Sequence, residues 1–308
     1  MEQIGPYQFT KFLSAGQSGR VFECHNVTTG ESVSCKVIDL NNIINDDFFN
    51  HFKNELIIHS QIRHPGITQL KDVLVDKNNI YVVLERCDGG DLNDLVMDEG
   101  GLPENRARHY FKHIMGAIKY IHNLGIAHRD IKLENILVTS QDFAKLTDFS
   151  ICKQASSDSP MMRTTCGTLV YSAPEIIKEE PYNGMIADIW SAGVVLYAMV
   201  SNHFPWVSDP SLPPDRMVAE TARQIIEGDI QLPNVSYELQ DLIENMLTVD
   251  PSERPTAEDI LQHPWMEMDE DYIERPGAEP DQHLVELVKN VINELEKRRN
   301  DDQDYQSD

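Results

Sequence analysis

The chain has 308 residues, of which 41% are hydrophobic, and a formal net charge of −25. That length buries a sizeable core, as one large domain or as a two-lobed unit with an appendage, and excludes a chain disordered throughout. The charge argues against unaided binding to nucleic acid or an anionic membrane, whose phosphates reward a basic surface, and favours a basic peptide as partner.

The N-terminus, MEQIGPYQFT, carries neither a basic segment nor an apolar one, and the longest apolar run, Ala192 to Val200, is too short to span a bilayer. From Tyr7 to about Val83 short β-type runs alternate with Gly, Asn and Asp signals, which predicts an antiparallel meander. One interruption, DDFFNHFKNELIIHSQI, places Phe48, Phe52, Leu56 and His59 three and four apart, predicting a helix packed on the sheet with Glu55 on or near the packed face.

After Gly89 to Leu92 the pattern turns helical. Glu104 to His122 carries a stripe of Ala107, Tyr110, Phe111, Ile114, Met115, Ile118 and Ile121. Ala187 to Val200 is apolar almost all round and reads as the core helix of a larger lobe, with further helices near Arg216 to Glu227 and Glu238 to Thr248. Residues 274–281 read as a linker; Leu284, Leu287, Val288, Val291 and Leu295 then mark an amphipathic helix near 282–299, before an end, DDQDYQSD, expected to be disordered. The division expected is a β lobe over 1–86, an α lobe over 87–265 and an acidic extension over 266–308. From Met266 onward there are fourteen Asp/Glu against five Lys/Arg, so the acidity is general and not confined to this tail.

Cys24, Cys35, Cys87, Cys152 and Cys166 show no CxxC spacing, which fits reduced thiols in a cytosol or nucleus and gives no zinc site.

Several segments carry groups suited to phosphoryl transfer, which needs a nucleotide held, metal ions placed on its phosphates and a hydroxyl aimed in line. In LSAGQSGRVF, Gly16 and Gly19 open the backbone to phosphates, or equally serve a hairpin turn. Lys36 ends VSCK, where burial of its ammonium calls for a negative partner such as Glu55; a solvated edge lysine and an ordinary helix carboxylate are the plain alternatives. In HRDIKLEN, Asp130 can accept a hydroxyl proton, Lys132 can neutralise a transferred phosphoryl group and Asn135 can ligate a metal. Asp148 in TDFS can bridge Mg²⁺ to phosphates, or cap a turn.

Taken together, the Gly-rich loop, the strand lysine, the helix glutamate, HRDIKLEN, TDFS and SAPE at Ser172 to Glu175 resemble the eukaryotic protein kinase catalytic domain in order and spacing, over about Tyr7 to Trp265. The resemblance implies an α+β bilobal fold, a small mainly β lobe with one regulatory helix above a larger mainly α lobe. It implies ATP and Mg²⁺ as cofactors, and transfer of the γ-phosphate to a protein or peptide substrate.

By the same resemblance, Ser14, Gly16, Gly19, Val21, Ser34, Lys36 and Leu137 would surround the nucleotide. Leu84 would be the gatekeeper, backbone groups of Glu85 and Cys87 would meet adenine, and Asp91 would reach the ribose or a substrate arginine. Lys132 with Thr168 resembles the serine/threonine class. Glu175 would pair with Arg254, and Asp188 would brace the HRD backbone. KLENILV, RTTCGT and DPSERPTAEDILQHPW are most similar to the calcium/calmodulin-dependent and AMP-activated kinase group.

Regulation follows from Arg129, which in such kinases waits for a phosphate on the activation segment. Thr164 matches the phosphosite, Lys153 and His51 match its other basic partners, and an upstream kinase or action in trans would supply the phosphate. Asp91 and Glu134 predict a basic preference upstream of the acceptor, narrowed by Ala198 where an acid would broaden it.

Two glycines of the family pattern are replaced, by Ser14 and Ser150, and Ser34 stands where alanine is usual. The rival expectations are a pseudokinase acting as a nucleotide-binding scaffold, and a small-molecule kinase. For the tail helix, docking on the lobe, blockade of the groove, calmodulin binding and self-association all stay open. The location expected is cytoplasmic, with the nucleus as a second compartment.

Overall fold

The computed structural model describes residues 3–16, 19–43, 46–149, 153–154, 169–206, 211–268 and 276–306, without the side chains of 16, 42–48, 153–154 and 301–306. Two compact units partition the chain: Met1–Asp88 with Phe149–Ile151 and Pro276–Asp308, and Gly89–Asp148 with Cys152–Arg275.

The first unit is built on a six-stranded sheet ordered β1-β2-β3-β4-β6-β5: β1 Gln3–Ile4, β2 Tyr7–Gly16, β3 Gly19–Asn26, β4 Ser32–Asp39, β5 Leu70–Val75 and β6 Asn79–Glu85. Every pairing in it is antiparallel, as the meander pattern predicts. Strand β4 shows why: Val33, Cys35 and Val37 are buried in one cluster with Tyr7, Cys24, Tyr81 and Val83, while Ser34 and Lys36 point to the other face.

That other face is covered by two helices, α2 (Asp46–Gln61), which follows the single turn α1 (Leu40–Ile43), and the tail helix, here α11 (Gln282–Gln306). Phe49, Phe52 and Leu56 of α2 share one buried cluster with Leu70, Val73, Ile80 and Val82 of the sheet and with Leu284, Val288, Val291, Ile292 and Leu295 of α11. Each such aliphatic residue contributes about 1.5–3 kcal/mol relative to exposure, so the tail helix is part of this unit's core. It also runs past Arg299 into the acidic end expected to be disordered, because a helix nucleated by docked turns propagates at little further cost.

The second unit is mainly helical. Its helices are α3 (Leu92–Glu99), α4 (Glu104–Asn123), α5 (Pro174–Ile177), α6 (Gly184–Ser201), α7 (Pro214–Glu227), α8 (Tyr237–Met246), α9 (Ala257–Leu261) and α10 (Pro264–Glu267). Short strand pairs join them: β8 (Ile136–Val138) with β9 (Ala144–Leu146), and β7 (Ile126–Ala127) with β10 (Lys153–Gln154). By length and composition α6 is apolar enough to cross a membrane; in this fold it is the unit's central helix, with Ile189, Trp190, Val194, Leu196 and Met199 all buried. Glu104, at the start of α4, accepts from Ser236 N and Oγ and from Trp265 Nε1, which ties α4 to α8 and α10. The arrangement is the α+β bilobal class expected from the sequence.

Candidate active site

In the first unit, the strand register places Val21 opposite Lys36 and Ser34 opposite Leu84, so Val21, Ser34, Lys36 and Leu84 share one face. Lys36 Nζ lies 3.7 Å from Glu55 Oε1 on α2, with both side chains largely buried. Ser14 is exposed and pairs with Val21, and Gly16 pairs with Gly19 to close the β2–β3 hairpin. Gly19 has φ +145°, and a Cβ there would lie 2.6 Å from Val37 O, so the glycine is required by the approach of β3 to β4.

Val33–Glu85 is the last ladder pair of β4 and β6. Glu85 N donates to Gln69 O at 2.8 Å and the Cys87 carbonyl accepts from Arg86 Nη1, in the segment where backbone groups of Glu85 and Cys87 are expected to meet adenine. Phe149, fully buried, lies with its ring centroid 5.1 Å from that of His59 on α2. His51 sits on the exposed side of α2.

In the second unit, the residues of HRDIKLEN converge. Lys132 Nζ and Asn135 Nδ2 both donate to Asp130 Oδ2, each at 2.7 Å, and Asn135 Nδ2 also reaches Asp130 O at 2.8 Å. Among the described residues Oδ1 has no donor, so Asp130 has one oxygen anchored and the other open to a hydroxyl. Asn135 closes a 3₁₀ turn, Leu133–Asn135, which aims its amide back at Asp130.

The backbone beneath is held by a buried carboxylate. Asp188 Oδ2 accepts from His128 N at 2.8 Å and Oδ1 from Arg129 N at 2.7 Å, while His122 Nε2 lies 2.9 Å from Oδ2. These bonds stabilise Arg129 at φ +71°, a left-handed conformation costly for any residue but glycine. Asp148 is left-handed as well, at φ +64°, and its predecessor is pinned at both ends: Thr147 N donates to Asn135 O and Thr147 O accepts from His128 Nε2. A neutral His128 with the proton on Nε2 satisfies this bond and accepts Asp130 N on Nδ1, and burial lowers its pKa accordingly.

Glu175 and Arg254 form a bidentate pair, 2.7 Å at each oxygen, with Arg254 also donating to Thr248 O. Asp91 caps α3, accepting Asp94 N at 2.9 Å, and burial raises its carboxyl pKa; its backbone bridges to Leu137. The guanidinium of Arg129 rests on Tyr182, 5.6 Å from the ring centroid and bonded to its hydroxyl. Lys153 is paired with Ala127 in the β10–β7 ladder, and its side chain lies outside the described residues. Thr164, Thr168 and Ser150 lie outside the described residues.

Sequence reasoning missed Tyr182, His122 and the tautomer of His128. A tyrosine seven residues after SAPE carries no pattern of its own, and the histidines matter through partners far along the chain.

The donor set suits a hard divalent cation, since Asn135 keeps its Oδ1 and Asp148 adds a carboxylate. Among the described residues no group of three or more His, Cys, Asp and Glu gathers as a self-sufficient metal cage.

Comparison with known proteins agrees with this geometry. The family described as the protein kinase domain matches residues 7–266. CBL-interacting protein kinase 11 of Oryza sativa subsp. japonica is 36% identical over 265 residues, 85% of this chain and 51% of that protein. CBL-interacting serine/threonine-protein kinase 20 of Arabidopsis thaliana is 34% identical over 289 residues, 92% of this chain and 64% of that protein. The probable serine/threonine-protein kinase KCC4 of Saccharomyces cerevisiae is 35% identical over 274 residues, 85% of this chain and 26% of that protein. The chain thus spans less than two thirds of the length of these relatives. With the motifs, their geometry and a family match covering most of its length, the chain belongs to the protein kinase domain family.

Proposed function

We propose that this chain is an ATP-dependent serine/threonine protein kinase, transferring the γ-phosphate to hydroxyls of protein substrates. The observation that carries it is Asp130, with Oδ2 held by Lys132 and Asn135 and Oδ1 open. A carboxylate fixed in this way orients an acceptor hydroxyl and takes its proton. Lys132 is positioned to offset negative charge on a transferred phosphoryl group, and Lys36, steadied by Glu55, to hold the nucleotide phosphates. Mg²⁺, held by Asn135 and Asp148, would neutralise charge on the ATP phosphates.

Lys36, Asp130, Asn135 and Asp148 are all retained, which speaks against a catalytically silent scaffold. The relatives named as serine/threonine kinases support the acceptor class. We place the chain near the calcium/calmodulin-dependent and AMP-activated group on KLENILV and DPSERPTAEDILQHPW.

Two finer features belong to the same reading. Asp91 and Glu134 favour a basic residue upstream of the acceptor, and Arg129 favours activation by a phosphate on Thr164. That phosphate would draw the Arg129 guanidinium off Tyr182.

The test is Mg²⁺/ATP phosphorylation of a basic peptide, with Asp130→Asn as control. Transfer abolished by Asp130→Asn and present in the wild type supports the reading; equal signals in both refute it. Thr164→Ala with undiminished activity would remove the activation step.

A further inference from the structure

The Lys36–Glu55 contact is 3.7 Å, beyond hydrogen-bond length. Glu55 is carried by α2, so its approach to Lys36 depends on how that helix is held. Phe49, Phe52 and Leu56 of α2 share one buried cluster with Leu70, Val73, Ile80 and Val82 of the sheet and with Val288, Ile292 and Leu295 of α11. Phe52 and Leu56, three positions before Glu55 and one after it, are therefore held by the sheet and by α11 together.

Polar contacts fix the register of the two helices. Lys53 Nζ, on the face of α2 that carries Phe49 and Leu56, meets Glu296 Oε1 at 3.0 Å. The Arg299 guanidinium lies 5.2 Å from the Phe49 ring centroid, and Arg298 Nη1 donates to Asp76 O in the β5–β6 turn at 2.8 Å. Ahead of α11, Ala278 N donates to Arg63 O, just beyond the other end of α2, at 2.7 Å. The tail therefore runs antiparallel along α2, with a tether at each end.

We propose that α11 is a positioning element for the Lys36–Glu55 pair: docked along α2, it fixes the rotation of that helix, and Glu296, through Lys53, sets the register. The inference rests on the reading of Lys36 as a phosphate-holding residue. When α11 is displaced, Phe49 and Phe52 lose their neighbours on that helix, α2 rotates or frays, and Lys36 loses its orienting carboxylate. Nucleotide affinity and turnover fall together while Asp130, in the other unit, is untouched.

The experiment uses the full chain with Glu296→Lys, Lys53→Glu, the double swap and Val288→Asp. Thermal unfolding, Mg·ATP affinity by direct titration, and kcat and KM for ATP are measured on each. Each single charge reversal should lower kcat/KM for ATP about three- to fivefold at an almost unchanged Tm. The double swap should return it to within about twofold of wild type. Val288→Asp should lose more, with weakened Mg·ATP binding.

Losses that add in the double swap instead of cancelling overturn the proposal, as does a Val288→Asp protein that stays folded with wild-type kinetics. If Val288→Asp does not fold, the surface pair alone decides. A wild type that binds Mg·ATP yet transfers no phosphate refutes the kinase reading, and the titrations across the four variants still judge the clamp.

Discussion

Glu175 is gripped at both carboxylate oxygens by Arg254, seventy-nine positions later, at 2.7 Å each, and the pair is almost wholly buried. Such a pair is costly to break because the survivor is left as an uncompensated buried charge. Glu175→Ala or Arg254→Ala should lose about 3–5 kcal/mol, read as a fall in the urea midpoint without a change in slope. Paired apolar replacement of both residues should lose much less.

Asp188 is a second buried carboxylate, with an oxygen for each of two backbone N–H groups. An amide offers one acceptor oxygen, so Asp188→Asn leaves either His128 N or Arg129 N unsatisfied. Hydrogen bonds to a charged acceptor contribute about 1.5–3 kcal/mol, and stability should fall by that order. Because the released backbone carries Asp130, kcat should fall with it while KM for ATP holds, which steady-state kinetics on the folded variant will read.

His128 gives a pH dependence. Burial lowers its pKa from the ordinary 6.5, so the unfolded chain binds a proton that the folded chain refuses once the pH falls below that value. Stability from this group is complete above pH 6.5 and declines as the medium is acidified, by up to about 1.4 kcal/mol per pH unit. Unfolding free energies should show that slope below pH 6.5 and no slope from this group above it, and His128→Asn should flatten it by one proton's worth.

Gly19→Ala would place a methyl 2.6 Å from Val37 O on a backbone at φ +145°. The hairpin must shift or the strand pairing must open, at about 1–3 kcal/mol. The expected outcome is a lowered Tm and a raised KM for ATP, with kcat for the bound nucleotide less affected. An unchanged Tm would mean that β3 and β4 separate at no cost.

The fold was legible where periodicity is local. Alternation in β4 and the stripe of Glu104 to His122 name their elements because each pattern is set by neighbours a few positions apart. The HRDIKLEN constellation was legible because Asp130, Lys132 and Asn135 lie within six residues, and a single 3₁₀ turn folds them onto one oxygen. In α2, Phe52 and Leu56 of the expected stripe are in the core together with Phe49, while the side chain of Phe48 lies outside the described residues. Asp91 and Cys87 also make contacts that no local pattern announces, to Asp94 N at the α3 N-terminus and to Arg86.

By itself the sequence determined that this chain has a β unit, an α unit and an amphipathic tail, and that Lys36, Asp130, Asn135 and Asp148 stand in kinase order. Only the tertiary structure decided that the tail lies along α2, that Lys53 meets Glu296 across 243 positions, and that Arg129 rests on Tyr182. The reason is physical: an apolar stripe states that a face must leave water, but the hydrophobic effect is non-directional and does not say against what. The partner is chosen by shape and by a few polar contacts between residues the chain keeps far apart until it folds.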